Sequence, residues 1–153
     1  MPNVFRKELN KHIKVEAFNL GFALCGIIHP NLPLHYHDYI DWVHEGLGNG
    51  LAYLTGKHAI RMRQNPKNVF SKCSSIISVA LPYAFDVTER KTFLIASYAH
   101  GLDYHNVIKE KLARLAKFIQ SKIEDTLSFE ICCDSTGILE KMLAYQAGLG
   151  WVG

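Results

Sequence analysis

This 153-residue chain has no long hydrophobic run, no C-x-x-C spacing and no block of like charge. Its longest apolar stretches, SSIISVALPYAF among them, are too short to cross a bilayer, and MPNVFRKELNKHIK lacks the apolar core of a secretory signal. Membrane insertion and export are therefore not expected, and the cytoplasm is the default compartment. Cys25, Cys73, Cys132 and Cys133 are scattered except for the adjacent pair, which excludes zinc or iron–sulfur spacing and predicts buried, reduced thiols. Lys and Arg number 17 against 14 Asp and Glu, a formal net charge of +3 that permits a nucleic-acid partner without requiring one. What is present is ordinary for a globular protein: 48% hydrophobic and 20% charged residues, in a length that one core can serve without disulfides or structural metal. A single domain over residues 1–153 is expected.

Leu9, Ile13, Ala17 and Leu20 recur at helical spacing and Gly21 follows them, which predicts a first helix from Asn3. FALCGII reads as a short buried strand, closed by the loop of Pro30 and Pro33. HDYIDWVHEGL reads as a helix with Tyr39, Trp42 and Val43 on one side, and GLGNG as a turn. SSIISVALP and KTFLIASYAH are expected as the next strands, with YAFDVTER connecting them. Ile108, Leu112, Leu115, Ile119 and Ile123 form one stripe and predict the most regular helix. LSFEICCD is expected as a further strand and ILEKMLAYQAG as the last helix, capped at Gly148. The alternation points to a layered α/β or α+β domain, with the sense of the sheet left open. No internal repeat is present.

Several stretches carry groups capable of chemistry. LHYHDY would put His35 and His37 on the same side of an extended segment, but two ligands do not make a metal site, so a loop pair without metal is expected. In YAHGLDYHNVI, Asp103 stands where an N-cap would, and Tyr104 and His105 open the long helix, either as a plain capped start or as ligand contacts outside a strand end. CCDSTGILEK repeats that layout. Asp134 either caps the following helix or, at the end of a buried strand, loses solvation and holds a proton near neutral pH as a general acid. Arg61 and Arg63, beside Asn-Pro, are either solvated loop charges or an anion site. The closing AYQAGLGWVG has no polar tail and gathers glycines around Trp151, which reads as a junction feeding into further structure.

Taken in order, AFNLGFALCGI, DWVHEGLGNGLAYL, RMRQNPKNVFSKCSSIISVALPY, IASYAHGLDYHNVIKEKLARL and CCDSTGILEKMLAYQAGLGWVG resemble the N-terminal domain of the epoxyqueuosine reductase family over nearly the whole chain. YAxGxDYH, the D-S/T-x-x-x-x-E-K/R stretch and AGLGW are the most specific pieces. The resemblance implies an α+β fold, a layered sheet flanked by helices similar to the nitroreductase-like cobalamin domain. It implies a cytoplasmic monomer that binds cobalamin and acts on tRNA carrying epoxyqueuosine. Asp134 matches the acid that protonates the epoxide oxygen, and Arg63, Tyr98, Ala99, Tyr104, His105, Asp134 and Lys141 match the cofactor-facing positions. In the family a ferredoxin-like domain with 4Fe-4S iron–sulfur clusters follows and supplies electrons. That domain is expected to be absent here, which leaves a cobalamin-binding half of an oxidoreductase, inactive or nearly so without an electron donor.

Two departures accompany the resemblance. Lys141 stands where the family commonly has Arg, which keeps the charge and gives up the two-pronged donor geometry. GLGNGLAYL has Asn49 and Leu51 where the family has glycine and methionine. The alternative reading is a non-enzymatic corrinoid- or flavin-binding module.

Overall fold

The helical spacing of the first segment folds into α1 (Asn3–Asn19) in the computed structural model, which describes residues 3–83 and 101–151, with side chains from Arg6 onward. There follow β1 (Leu24–Ile28), α2 (Tyr36–His44), α3 (Ala52–Thr55), α4 (Lys57–Gln64), α5 (Pro66–Val69), β2 (Ile76–Ala80), α6 (Tyr104–Ser121) and α7 (Glu140–Gln146). The fold is α+β. β1 pairs with β2, and the Ala23 N–H donates to the Ala80 carbonyl, so the start of one strand lies against the end of the other and the pair is antiparallel.

Contacts gather the chain into two units, Met1–Leu24 with Ala80–Cys133, and Cys25–Val79 with Asp134–Gly153. In the first, α1 packs on α6, and Ile13, Ala17, Leu20, Leu115 and Ile119 are buried. Their spacing is the predicted stripe, and removing such side chains from water is what holds an amphipathic helix pair together. α1 stops as expected: Gly21 donates to the Phe18 carbonyl and Phe22 to the Ala17 carbonyl, while the Lys111 ammonium of α6 donates to the Leu20 carbonyl.

In the second unit, Tyr36, Ala59 and Leu143 are buried. α7 ends with Gly148 donating to the Tyr145 carbonyl and Leu149 to the Ala144 carbonyl. This end is pressed onto β1 at Gly26, where a Cβ would stand 2.3 Å from the Ala147 carbonyl oxygen. Only glycine admits that approach, and it fixes the helix that carries Glu140 and Lys141.

The structure departs from the sequence expectations in several places. RMRQNP is not a loop: Asn65 caps α5 by accepting the Lys67 N–H at 2.9 Å, and Pro66 takes the first helical position, so Asn-Pro separates two short helices. Leu127–Asp134, expected as a strand, carries no strand assignment among the described residues. KTFLIASYAH lies outside the described residues, as does most of YAFDVTER. His35 and His37 do not share an extended segment, because α2 begins at Tyr36 and leaves His35 as its N-cap at φ 60°. Of the four cysteines only Cys133 is fully buried, the others being half-buried. Among the described residues no helix is long and apolar enough to cross a membrane.

Candidate functional site

Arg63 sits in the last turn of α4. Its Nη1 donates to the carbonyls of Tyr53 at 3.4 Å and Ala59 at 3.3 Å, and its guanidinium carbon lies 5.9 Å from the centre of the Tyr39 ring. The charge is thus steadied by backbone dipoles and an aromatic ring, and among the described residues no salt bridge involves it. The Tyr39 hydroxyl donates to the Leu54 carbonyl. Burial pushes the Tyr39 phenol above its ordinary range, with Arg63 opposing the shift.

Asp134 stands at φ 56°, a left-handed conformation that aspartate tolerates better than most residues. Its N–H donates to Glu140 Oε1 at 2.9 Å, and the Thr136 hydroxyl donates to the same oxygen at 3.4 Å. Glu140, the first residue of α7, therefore reaches back and closes the turn. Gly137 sits against α4, where a Cβ would meet the Cβ of Met62 at 2.9 Å. That close approach brings the loop beside Arg63.

The N-cap of α7 is Leu139 and has no side-chain cap bond, so Asp134 is not the helix cap. Nor does the chain itself strip the carboxyl of solvent: Asp134 is exposed and follows a segment without strand pairing.

Arg63, Asp134 and Lys141 line one hollow of about 270 Å³, with Leu54 and Ile138 among its apolar walls. A neighbouring hollow of about 590 Å³ is walled by His35, Asp38, Tyr39, Tyr145 and Trp151, and both share Leu139 and Met142. The two hollows adjoin as one trough, with both apolar and ionic side chains among its lining. His35 Nδ1 lies 2.6 Å from Asp38 Oδ2, and Trp151, 91% exposed, stands over the rim with its ring 6.0 Å from that of Tyr145. Among the described residues no cluster of three metal-ligating side chains occurs.

Tyr104 and His105 belong to the other unit, at the start of α6. Asp103 is the expected N-cap, accepting the His105 N–H at 2.9 Å, and its Oδ1 lies 2.8 Å from His105 Nδ1. These bonds from His105 hold the Asp103 carboxyl below its ordinary range. The rings of Tyr104 and His105 are stacked with centres 4.1 Å apart. Tyr98 and Ala99 lie outside the described residues.

The structure therefore unites Arg63, Asp134 and Lys141, the first and the other two being more than seventy residues apart in the chain. Sequence reasoning gave no role to Glu140, Thr136, Tyr39 or Met142. Glu140 had a visible signal, as the acid of the D-S/T-x-x-x-x-E stretch; Thr136 falls at an open position of that stretch, whose hydroxyl is Ser135, and Tyr39 and Met142 had no signal beyond apolar periodicity.

Residues 63–135 match the family model described as "Epoxyqueuosine reductase QueG, DUF1730". An epoxyqueuosine reductase of Prochlorococcus marinus is 32% identical over 151 residues, covering 95% of this chain and 47% of the relative. One of Cellulophaga algicola is 33% identical over 143 residues, covering 92% and 46%. The solved epoxyqueuosine reductase of Streptococcus thermophilus superposes with a TM-score of 0.78 at 26% identity, over 94% of this chain and 40% of that one. A selenomethionine-labelled epoxyqueuosine reductase gives 0.73 at 27% identity, over 95% and 40%. The chain spans slightly under half the length of the curated relatives it matches.

Proposed function

We propose, on the premise that this chain is a relative of the epoxyqueuosine reductases, that it is the cobalamin-binding, proton-donating part of an enzyme that reduces epoxyqueuosine to queuosine in tRNA. The observation that carries the reading is the meeting of Asp134, Arg63 and Lys141 in one hollow, with Asp134 not serving as a helix cap. In this reading the protein acts in the cytoplasm as a monomer, residues 1–153 forming one cofactor-binding domain. An iron–sulfur domain or a separate donor supplies electrons, and the chain without it is inactive or nearly so.

The residues of the trough suit a corrin in kind. A flat macrocycle edged with amides requires a broad apolar wall and a margin of hydrogen-bonding groups; Leu139, Met142 and Tyr145 offer the first, Arg63 and Lys141 the second. Arg63 and Lys141 would hold the cofactor's polar edge; Tyr98, Ala99, Tyr104 and His105 are cofactor contacts by the family resemblance alone. Bound there, cobalamin would supply the strongly reducing centre that the protein's own side chains lack.

Converting an epoxide to an alkene consumes two electrons and two protons and releases water. Asp134 delivers the first proton to the epoxide oxygen as the C–O bond breaks, and the resulting carboxylate regains a proton from solvent between turnovers. Proton donation from this position is favoured when the bound cofactor and substrate cover the carboxyl and exclude water from it. Glu140 fixes the backbone of Asp134, a residue that lines the hollow. Arg63, turned by its carbonyl partners, is placed to take up negative charge on the departing oxygen.

Incubating the protein with cob(II)alamin and passing it through gel filtration tests the reading. A corrin absorption band travelling with the protein is expected; folded protein that elutes colourless would contradict it.

A further inference from the structure

Between Glu45 and Asp86 the chain contains no carboxylate side chain, while Lys57, Arg61, Arg63, Lys67 and Lys72 all fall in that interval. Written out, these cations look dispersed. Folding puts four of them, all but Lys72, on two adjoining short helices. Lys57 and Arg61 are four apart on α4, which places them on one face a helical turn from each other, and both are exposed. α5 packs on α4, and Asn68 Nδ2 donates to the Arg61 carbonyl at 2.6 Å, which pins the elbow that carries the exposed Lys67. None of the salt bridges among the described residues involves Lys57, Arg61 or Lys67, in contrast to Lys11 of α1, which lies 3.6 Å from Glu8. Just before α4 stands Tyr53, 69% exposed, its carbonyl bonded to Arg63.

We propose that the α4–α5 elbow is an RNA-binding surface: Lys57, Arg61 and Lys67 neutralise backbone phosphates on the approach to the hollow, and Tyr53 offers its ring to an unstacked base. A carboxylate-free run of cations suits a polyanion, because phosphate contacts give affinity through charge and counterion release. An exposed aromatic ring beside such cations is the element that favours single-stranded RNA loops, whose bases are free to stack on it. Arg63 sits at the inner end of the same element, half-buried on the rim of the hollow, so RNA held along the elbow would be led toward Asp134. The identity of the RNA as tRNA rests on the function proposed above; the surface itself does not.

The test is titration of the protein with an unmodified tRNA transcript at several salt concentrations, comparing wild type with Lys57→Gln/Arg61→Gln/Lys67→Gln. The triple variant should bind at least about tenfold more weakly at low salt, with the slope of log K against log[salt] flattened by roughly 2 to 3. Single Arg61→Gln and Lys67→Gln variants should each flatten it by about 1, which keeps the test decisive if the triple variant folds poorly. A control triple on α1, Lys7→Gln/Lys11→Gln/Lys14→Gln, should leave both quantities unchanged. Wild-type affinity and slope in folded elbow variants would overturn the proposal, as would an equal loss in the control, or elbow variants that lose binding to phosphatidylserine vesicles while keeping tRNA. Cobalamin retention, read separately by absorption, should be unaffected by the elbow substitutions. A protein that binds tRNA through this elbow but takes up no cobalamin would uphold the surface and refute the cofactor reading.

Discussion

At the scale of single residues, the site depends on how one carboxylate restrains another residue's backbone. Glu140 Oε1 accepts from both the Asp134 N–H and the Thr136 hydroxyl, so the turn that presents Asp134 is held from the first residue of α7. Hydrogen bonds to a charged acceptor are worth more than neutral ones. Glu140→Ala should therefore lower stability by about 1–2 kcal/mol, seen as a reduced urea midpoint, and should speed cobalamin loss by freeing the turn. An unchanged midpoint and dissociation rate would show that the turn holds without it. For Asp134 itself, asparagine is the informative replacement, because it keeps the shape and tolerates φ 56° while removing the ability to give up a carboxyl proton. The sequence showed Asp134 as a candidate but left capping and acid catalysis equally open. The N-cap at Leu139 decides against capping, and the turn that carries Asp134 is held by Glu140 and by the approach of Gly137 to Met62, a contact that no local pattern displays.

Elements with a local signature were legible: α1 from its apolar spacing and Gly21, α6 from its stripe and Asp103, α7 from its run to Gly148. The short helices α3, α4 and α5 were not, since four to eight residues give too little periodicity to separate a helix from a loop, and Asn-Pro was read as a turn instead of a cap followed by a first helical proline. The same blindness hid the basic elbow, whose charges align only once α4 is coiled. The N-terminus of α6 offers a test at this scale. Asp103 is depressed by the bonds from His105, so its contribution is fully present above the unfolded carboxyl value of about 4 and is lost as pH falls through the lower folded value. Amide exchange at His105 should accelerate below about pH 4, and Asp103→Ala should show fast exchange at neutral pH with that acid dependence gone. Slow exchange in the variant would mean that the cap is supplied elsewhere.

Over the whole molecule, the family resemblance was legible because ordered motifs survive along almost the entire length, and the comparisons bear it out at about one-third identity. The trough was not legible, because it brings α2, α4 and α7 together across sequence gaps that only tertiary packing closes. The α+β class was anticipated, while the sheet among the described residues is confined to β1 and β2. The proposed function would join three separable properties: a hollow that takes a broad cofactor, a carboxyl that gives a proton there, and a source of electrons. Of the three, the proton donor is the one fixed by a single atom group of this chain. The most direct test is Asp134→Asn in the protein that contains this chain, supplied with reductant and epoxyqueuosine-bearing tRNA, with bound cobalamin and converted tRNA measured together. Cobalamin binding should persist while conversion falls by about 10²- to 10⁴-fold; conversion at the unaltered rate by the cobalamin-loaded variant would remove Asp134 from the chemistry.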